Sequence, residues 1–199
     1  MRPIILLVTS GLIIGALAAC AGINKTKQNI AVYDFGLSTT SESNQQITSK
    51  LLLEAPIAAE FLNHNKIRYR LSYLNPSRVF FYTESHWAAT PLELFSSKLS
   101  KMVNITKTPK NCSLKLKIEA FDHVFQTITT SDGIVQLSAL VVQSKTQKII
   151  SGQLITESVM SVTPNAQGGT AAISQATENA LKKAIDWGNV IADNSELCQ

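Results

Sequence analysis

The sequence predicts an α/β protein built on one mixed sheet of about five to six strands. Three observations lead there. Residues 66–74 alternate apolar and polar side chains strictly, as a half-buried strand does. Residues 113–162 then read as three successive strands, with Ser144-Lys145-Thr146-Gln147 as a short connection between the last two. An amphipathic helix stands between these two strand regions, and a longer one closes the chain.

Each element has its own signal. Asn29 to Leu37 reads as a first strand, apolar on both faces and therefore expected to be covered on both. Ser38 to Gln46 is a polar Ser/Thr/Asn/Gln loop. Leu51 to Ala55 predicts a second short strand ended by Pro56, with a helical turn around Ala58 to Leu62. In residues 66–74, Ile67, Tyr69, Leu71 and Tyr73 share one face, and Arg68, Arg70 and Ser72 the other. Asn75-Pro76-Ser77-Arg78 is a turn, and Val79 to Tyr82 resumes as a strand, so 66–83 predicts a hairpin. Thr90 as N-cap, Pro91 at the first position and Glu93 start a helix whose stripe is Leu92, Phe95, Leu99 and Met102. Ser113–Phe125, Gly133–Gln143 and Lys148–Val162 supply the later strands. Gly168-Gly169 reads as a hinge or loop before the last helix, which buries Ile173, Ala176, Ala180, Leu181, Ala184, Trp187, Gly188 and Ile191.

The N-terminus belongs to a different kind of segment. Met1-Arg2 precedes an apolar run of 14 residues, Ile4 to Leu17, broken only by Thr9, Ser10, Gly11 and Gly15. A helix needs about 20 apolar residues to cross a bilayer, so this run has the length of a secretory signal instead. Leu17-Ala18-Ala19-Cys20 resembles the bacterial lipobox, in which the cysteine thiol is alkylated by a diacylglyceryl group and becomes the new N-terminus. The alternative is an ordinary secretion signal followed by a chance cysteine. The resemblance implies a signal peptide at 1–19, acylated Cys20 with a polar tether to Gln28, and one domain at 29–199. Several acyl chains, palmitate among them, give stable attachment where a single chain gives only a marginal one. By the sorting pattern of known lipoproteins, Ala21 in place of Asp favours the outer membrane of a Gram-negative bacterium, on its periplasmic face.

Charge and cysteines narrow the function. Loss of residues 1–19 leaves 180 residues with 17 basic and 14 acidic side chains, a net +3 with no basic run. That lacks the basic stripe of a nucleic-acid binder. Cys112 and Cys198 remain as an even pair in an oxidising compartment, which points to a disulfide; the other reading is two free thiols. No metal is expected: CxxC and HxxxH spacings are absent, and His64, His86 and His123 are scattered. Tyr82, Glu84 and His86 alternate toward one side, yet no nucleophile or oxyanion motif accompanies them, so neither catalysis nor a cofactor is expected.

Ile67-Arg68-Tyr69-Arg70-Leu71, Asn75-Pro76-Ser77-Arg78, Tyr82, Ser85-His86-Trp87-Ala88 and Pro91 together resemble the ABC-type transport auxiliary lipoproteins, the PqiC-like family. The lipobox, the Tyr33-Asp34-Phe35-Gly36 strand, Glu119-Ala120-Phe121 and Trp187 fit the same pattern. The resemblance implies a three-layer α/β/α arrangement like the N-terminal domain of TolB. It also implies an outer-membrane role beside an MCE-family periplasmic transport protein that moves lipid across the envelope. A homo-oligomer is compatible with that role, and a structural lipoprotein supporting outer-membrane protein assembly or envelope integrity is the alternative. Candidate partner-binding residues are Arg68, Arg70 and Trp87, although such arginines more often face water or bridge to a residue like Glu84, and such a tryptophan more often packs in the core.

Overall fold

The computed structural model describes residues 29–37, 46–104 and 111–199. The signal peptide, Cys20 and the tether lie outside the described residues. The sheet follows the order β1 (Ala31–Tyr33), β6 (Phe80–Trp87), β5 (Lys66–Leu71), β8 (Cys112–Phe125), β9 (Ser131–Gln143) and β10 (Ile149–Met160). Two short strands, β3 (Leu52–Leu53) and β4 (Ile57–Ala58), pair with β8 upstream of β5, so three pieces share one edge of that long strand. They run parallel to β8, β1 runs parallel to β6, and all other neighbours in the sheet are antiparallel. The sheet is therefore mixed and the fold α/β, as the sequence predicts. A separate parallel pair joins β2 (Ile47–Thr48) to β7 (Val103–Asn104).

The first helix, α1 (Pro91–Met102), begins where its capping residues demand. Thr90 Oγ1 accepts from the Glu93 N–H, and the Glu93 carboxylate accepts from the Thr90 N–H, which closes a capping box. The Thr90 N–H, and after it the Thr90 hydroxyl, donate to the Glu93 carboxylate and hold its pKa below the ordinary value. Leu94, Phe95 and Leu99 are the buried face, with Leu92 and Met102 at its margin. The last helix, α2 (Ala166–Asn194), lies across β8, β9 and β10 and buries Ile173, Ala176, Ala180, Leu181 and Ala184 completely. Trp187 and Ile191 are only partly buried, at the rim of that face. The two helices meet on one face of the sheet, where Lys98 Nζ stands 2.9 Å from a Glu178 oxygen, so the described residues form one helical layer on the sheet where the resemblance implies two. Among the described residues no helix is long and apolar enough to cross a membrane.

Two local expectations change. The first strand is shorter than 29–37 and is not covered on both faces, because it sits at the sheet edge: Ile30 is 49% and Val32 64% exposed. Gly168 and Gly169 lie inside α2, whose N-cap is Asn165, the side chain accepting from the Gly168 N–H. They are glycines because of contact: a Cβ on Gly169 would lie 2.3 Å from His123 Nδ1, and one on Gly168 2.1 Å from the Thr163 carbonyl oxygen. The small residues let the helix start directly on the sheet.

Candidate functional site

The β5–β8 pair places successive residues on opposite faces of the sheet, Arg68 beside Asp122 and Tyr69 beside His123. On the helix side, Tyr69 stacks on Phe80 at 5.2 Å between ring centroids and meets Tyr82 at 4.7 Å and Phe125 at 6.1 Å. The Tyr82 hydroxyl bonds His123 Nδ1 at 2.9 Å, and Ser161 Oγ bonds Nε2 at 3.2 Å. His123 is fully buried, and desolvation pushes its pKa down to about 4, against a smaller pull from Asp132. Burial also raises the Tyr82 phenol above its ordinary value. This neutral Tyr–His–Ser chain ties β6, β8 and the segment after β10 together beneath the first turn of α2. A hydroxyl, not a carboxylate, holds Nδ1, so His123 lacks the partner that stabilises an imidazolium in nucleophile–base pairs.

That burial has a consequence for stability. The folded His123 stays neutral between its unfolded pKa near 6.5 and about 4, while the unfolded chain takes up a proton over the same window. The unfolding free energy therefore declines as pH falls from 6.5 to 4, by about 3 kcal/mol in total from this group. Denaturant unfolding of wild type and His123→Gln across that range checks it. The variant is less stable near neutrality, and the gap between the two proteins narrows as the solution becomes acidic; a constant gap would refute the assignment.

On the opposite face, Asp122 is 2% exposed and accepts from both arginines that the sequence singles out. Arg68 Nε donates to Oδ1 and Arg70 Nε to Oδ2, each at 2.6 Å. Arg70 Nη1 also donates to the Pro76 carbonyl at 3.1 Å, fastening the hairpin turn. The Phe61 ring lies over the Arg68 guanidinium at 4.6 Å. Arg68 and Arg70 thus share a buried carboxylate on β8 that hairpin spacing alone did not reveal. The signal for it was present, since Asp122 breaks the apolar run Phe121-Asp122-His123-Val124-Phe125.

The other singled-out residues go elsewhere. Trp87 is 1% exposed, packed edge-on to Phe35 at 5.9 Å and against Phe121 at 5.5 Å, so it has no surface to offer a partner. Tyr82, Glu84 and His86 do not converge. The β5–β6 register shifts between them, so His86 pairs with Lys66 while Tyr82 joins His123. Cys112 and Cys198 are joined by a disulfide, with Cα atoms 5.1 Å apart. Among the described residues no three His, Cys, Asp or Glu side chains gather as a metal site.

The architecture defines an α/β class in which a mixed sheet carries its helices on one face. The same fold is found in a Xanthomonas campestris protein of the DUF330 family, with a TM-score of 0.65 and 16% identity, covering 82% of this chain and 98% of that one. A second solved structure, of an uncharacterised protein, matches with a TM-score of 0.54 and 10% identity over 82% of this chain and 99% of the other. At these identities the likeness shows the fold alone. No family model matches the sequence, and no curated protein matches it.

Proposed function

We propose that the protein is a lipid-anchored envelope protein that acts by contact, as the auxiliary component that docks an MCE/ABC-type lipid transport assembly at the outer membrane. The observation that carries this reading is Cys20, placed directly behind Leu17-Ala18-Ala19 and a 14-residue apolar run. The motif between Ile67 and Pro91 supports it, and so does the fold shared with the Xanthomonas protein. The motif has an evident physical use. Arg68 and Arg70 bind Asp122, Trp87 fills the aromatic core, and Pro91 starts α1, so these residues specify the frame on which a docking surface is carried.

Replacing Cys20 by Ser tests the anchor. The variant leaves the outer-membrane fraction, whereas wild type remains there with an acylated Cys20 by mass spectrometry. Retention of the variant in that fraction would end the reading. Cross-linking of the wild-type chain in intact cells tests the partner: an MCE-family periplasmic protein is captured, and its consistent absence would leave only the anchor.

A further inference from the structure

On the face of the sheet turned away from the helices, Arg68 and Arg70 together carry one positive charge more than Asp122 neutralises. Two guanidiniums share the single carboxylate of Asp122, and each spends its Nε on it. Arg68, although 6% exposed, has no hydrogen-bond partner for either Nη among the described residues, and Arg70 keeps its Nη2 free. Among the described residues none of these nitrogens is both buried and without a partner, so the remaining donors reach solvent, where an anion can meet them. Lys66 extends the charge along β5, its Nζ 5.4 Å from the centre of the Phe81 ring. His64, in edge contact with Phe81, is held below its ordinary pKa first by burial and then by the charges of Arg68 and Lys66, so their field is felt beyond Asp122. Glu60 precedes Phe61 in the chain, and Glu84 lies on β6, the strand paired with β5, so both bring exposed acidic charge to this region.

Beside these cations the same face leaves two large apolar rings in solvent, Phe61 at 52% and Phe81 at 40% exposed. Forked donors flanked by exposed aromatics match a phosphate at the boundary between headgroups and acyl chains. The chain's entry point agrees. The nine residues from Cys20 to Gln28 lead to Asn29, just before β1, which pairs with β6, the strand that carries Phe81. Fully extended, nine residues reach roughly 30 Å, so a lipid on Cys20 would hold this edge of the sheet close to its bilayer.

We propose that this face binds the phosphates of anionic phospholipid headgroups, with Arg68 donating through its Nη groups and Arg70 through its Nη2, Lys66 adding charge, and Phe61 and Phe81 entering the interface. The proposal rests on acylation of Cys20 to bring the face to a membrane, but its chemistry can be tested without the anchor. The full chain carrying Cys20→Ser is sedimented with vesicles of phosphatidylcholine alone and of phosphatidylcholine with phosphatidylglycerol. Residues 1–19 carry the α-amino group and Arg2 and themselves favour the anionic composition, so the readout is the part of the difference that substitutions on the proposed face remove. The anionic vesicles bind more protein, and added salt reduces the excess. Lys66→Gln weakens the excess by about fivefold, the ratio equivalent to ~1 kcal/mol per surface cation. Phe61→Ser and Phe81→Ser, both at exposed positions, weaken it as well.

The His64 ring supplies a second measurement, its titration followed by NMR with soluble short-chain phosphatidylglycerol or with inorganic phosphate. The lipid raises the midpoint and inorganic phosphate at equal concentration does not. Equal binding to both vesicle compositions would overturn the proposal, and an equal response to free phosphate would overturn its assignment to a lipid surface. Failure of the anchor reading is seen separately, as an unmodified Cys20 in the wild-type chain.

Discussion

Asp122→Ala lowers the unfolding free energy by about 3–5 kcal/mol, the cost of leaving a buried charge without its partner. The side chain is 3% exposed and accepts from two guanidiniums, one of them 7% exposed and the other 25%. Its removal leaves two like charges adjacent on β5 with no carboxylate between them. Coulomb attraction in the native protein is offset in part by desolvation, so the loss on deletion exceeds the net worth of the intact group. A combined replacement, Arg68→Met, Arg70→Met and Asp122→Leu, separates these quantities. It removes every charge together and recovers most of the stability that Asp122→Ala loses. Urea unfolding of the three proteins, with m-values compared, checks both statements. A single variant within 1 kcal/mol of wild type would mean that the arginines find other partners.

The disulfide has the second large effect. It closes a separation of 86 residues, for which the chain-entropy argument predicts about 4–5 kcal/mol less stability after Cys198→Ser. The loss falls on the unfolded state more than on native contacts. Ile173, Leu181 and Ile185 of α2 are fully buried without help from the bridge, so the helix stays docked. Only the final turn, Glu196–Cys198, is released. Calorimetry shows the lowered midpoint, and hydrogen exchange shows protection lost in the last residues while α2 retains its own. Loss of protection throughout α2 would show that the bridge holds the helix in place.

Much of this architecture is legible in local chemistry. The Thr90-Pro91-Glu93 start of α1, the buried stripe of α2 and the long antiparallel strands follow from caps and periodicity that operate within a few residues. The turn after Gln143 is another such case: Gln147 takes a positive φ of 56° and its N–H returns to the Gln143 carbonyl. What local pattern did not supply is pairing across distance. Arg68 reaches Asp122 only because β5 lies parallel to β8, and periodicity carries no information about which strands become neighbours. The same holds for Gly169, whose reason is a histidine 46 positions earlier in the chain. The exposure of Val32 was hidden likewise, since an apolar residue at a sheet edge reads like one in the middle.

The arrangement of three short pieces along β8 also sets an order of assembly. β3, β4 and β5 all find their pairing partner in a strand that begins at Cys112. A chain delivered N-terminus first therefore presents Arg68 and Arg70 well before Asp122 has emerged. Its β5–β6 hairpin can close early, but it stays charged and half-built until residue 125 is clear. From there β8, β9 and β10 form from sequential neighbours, and the late arrival of the C-terminal half is what completes the first.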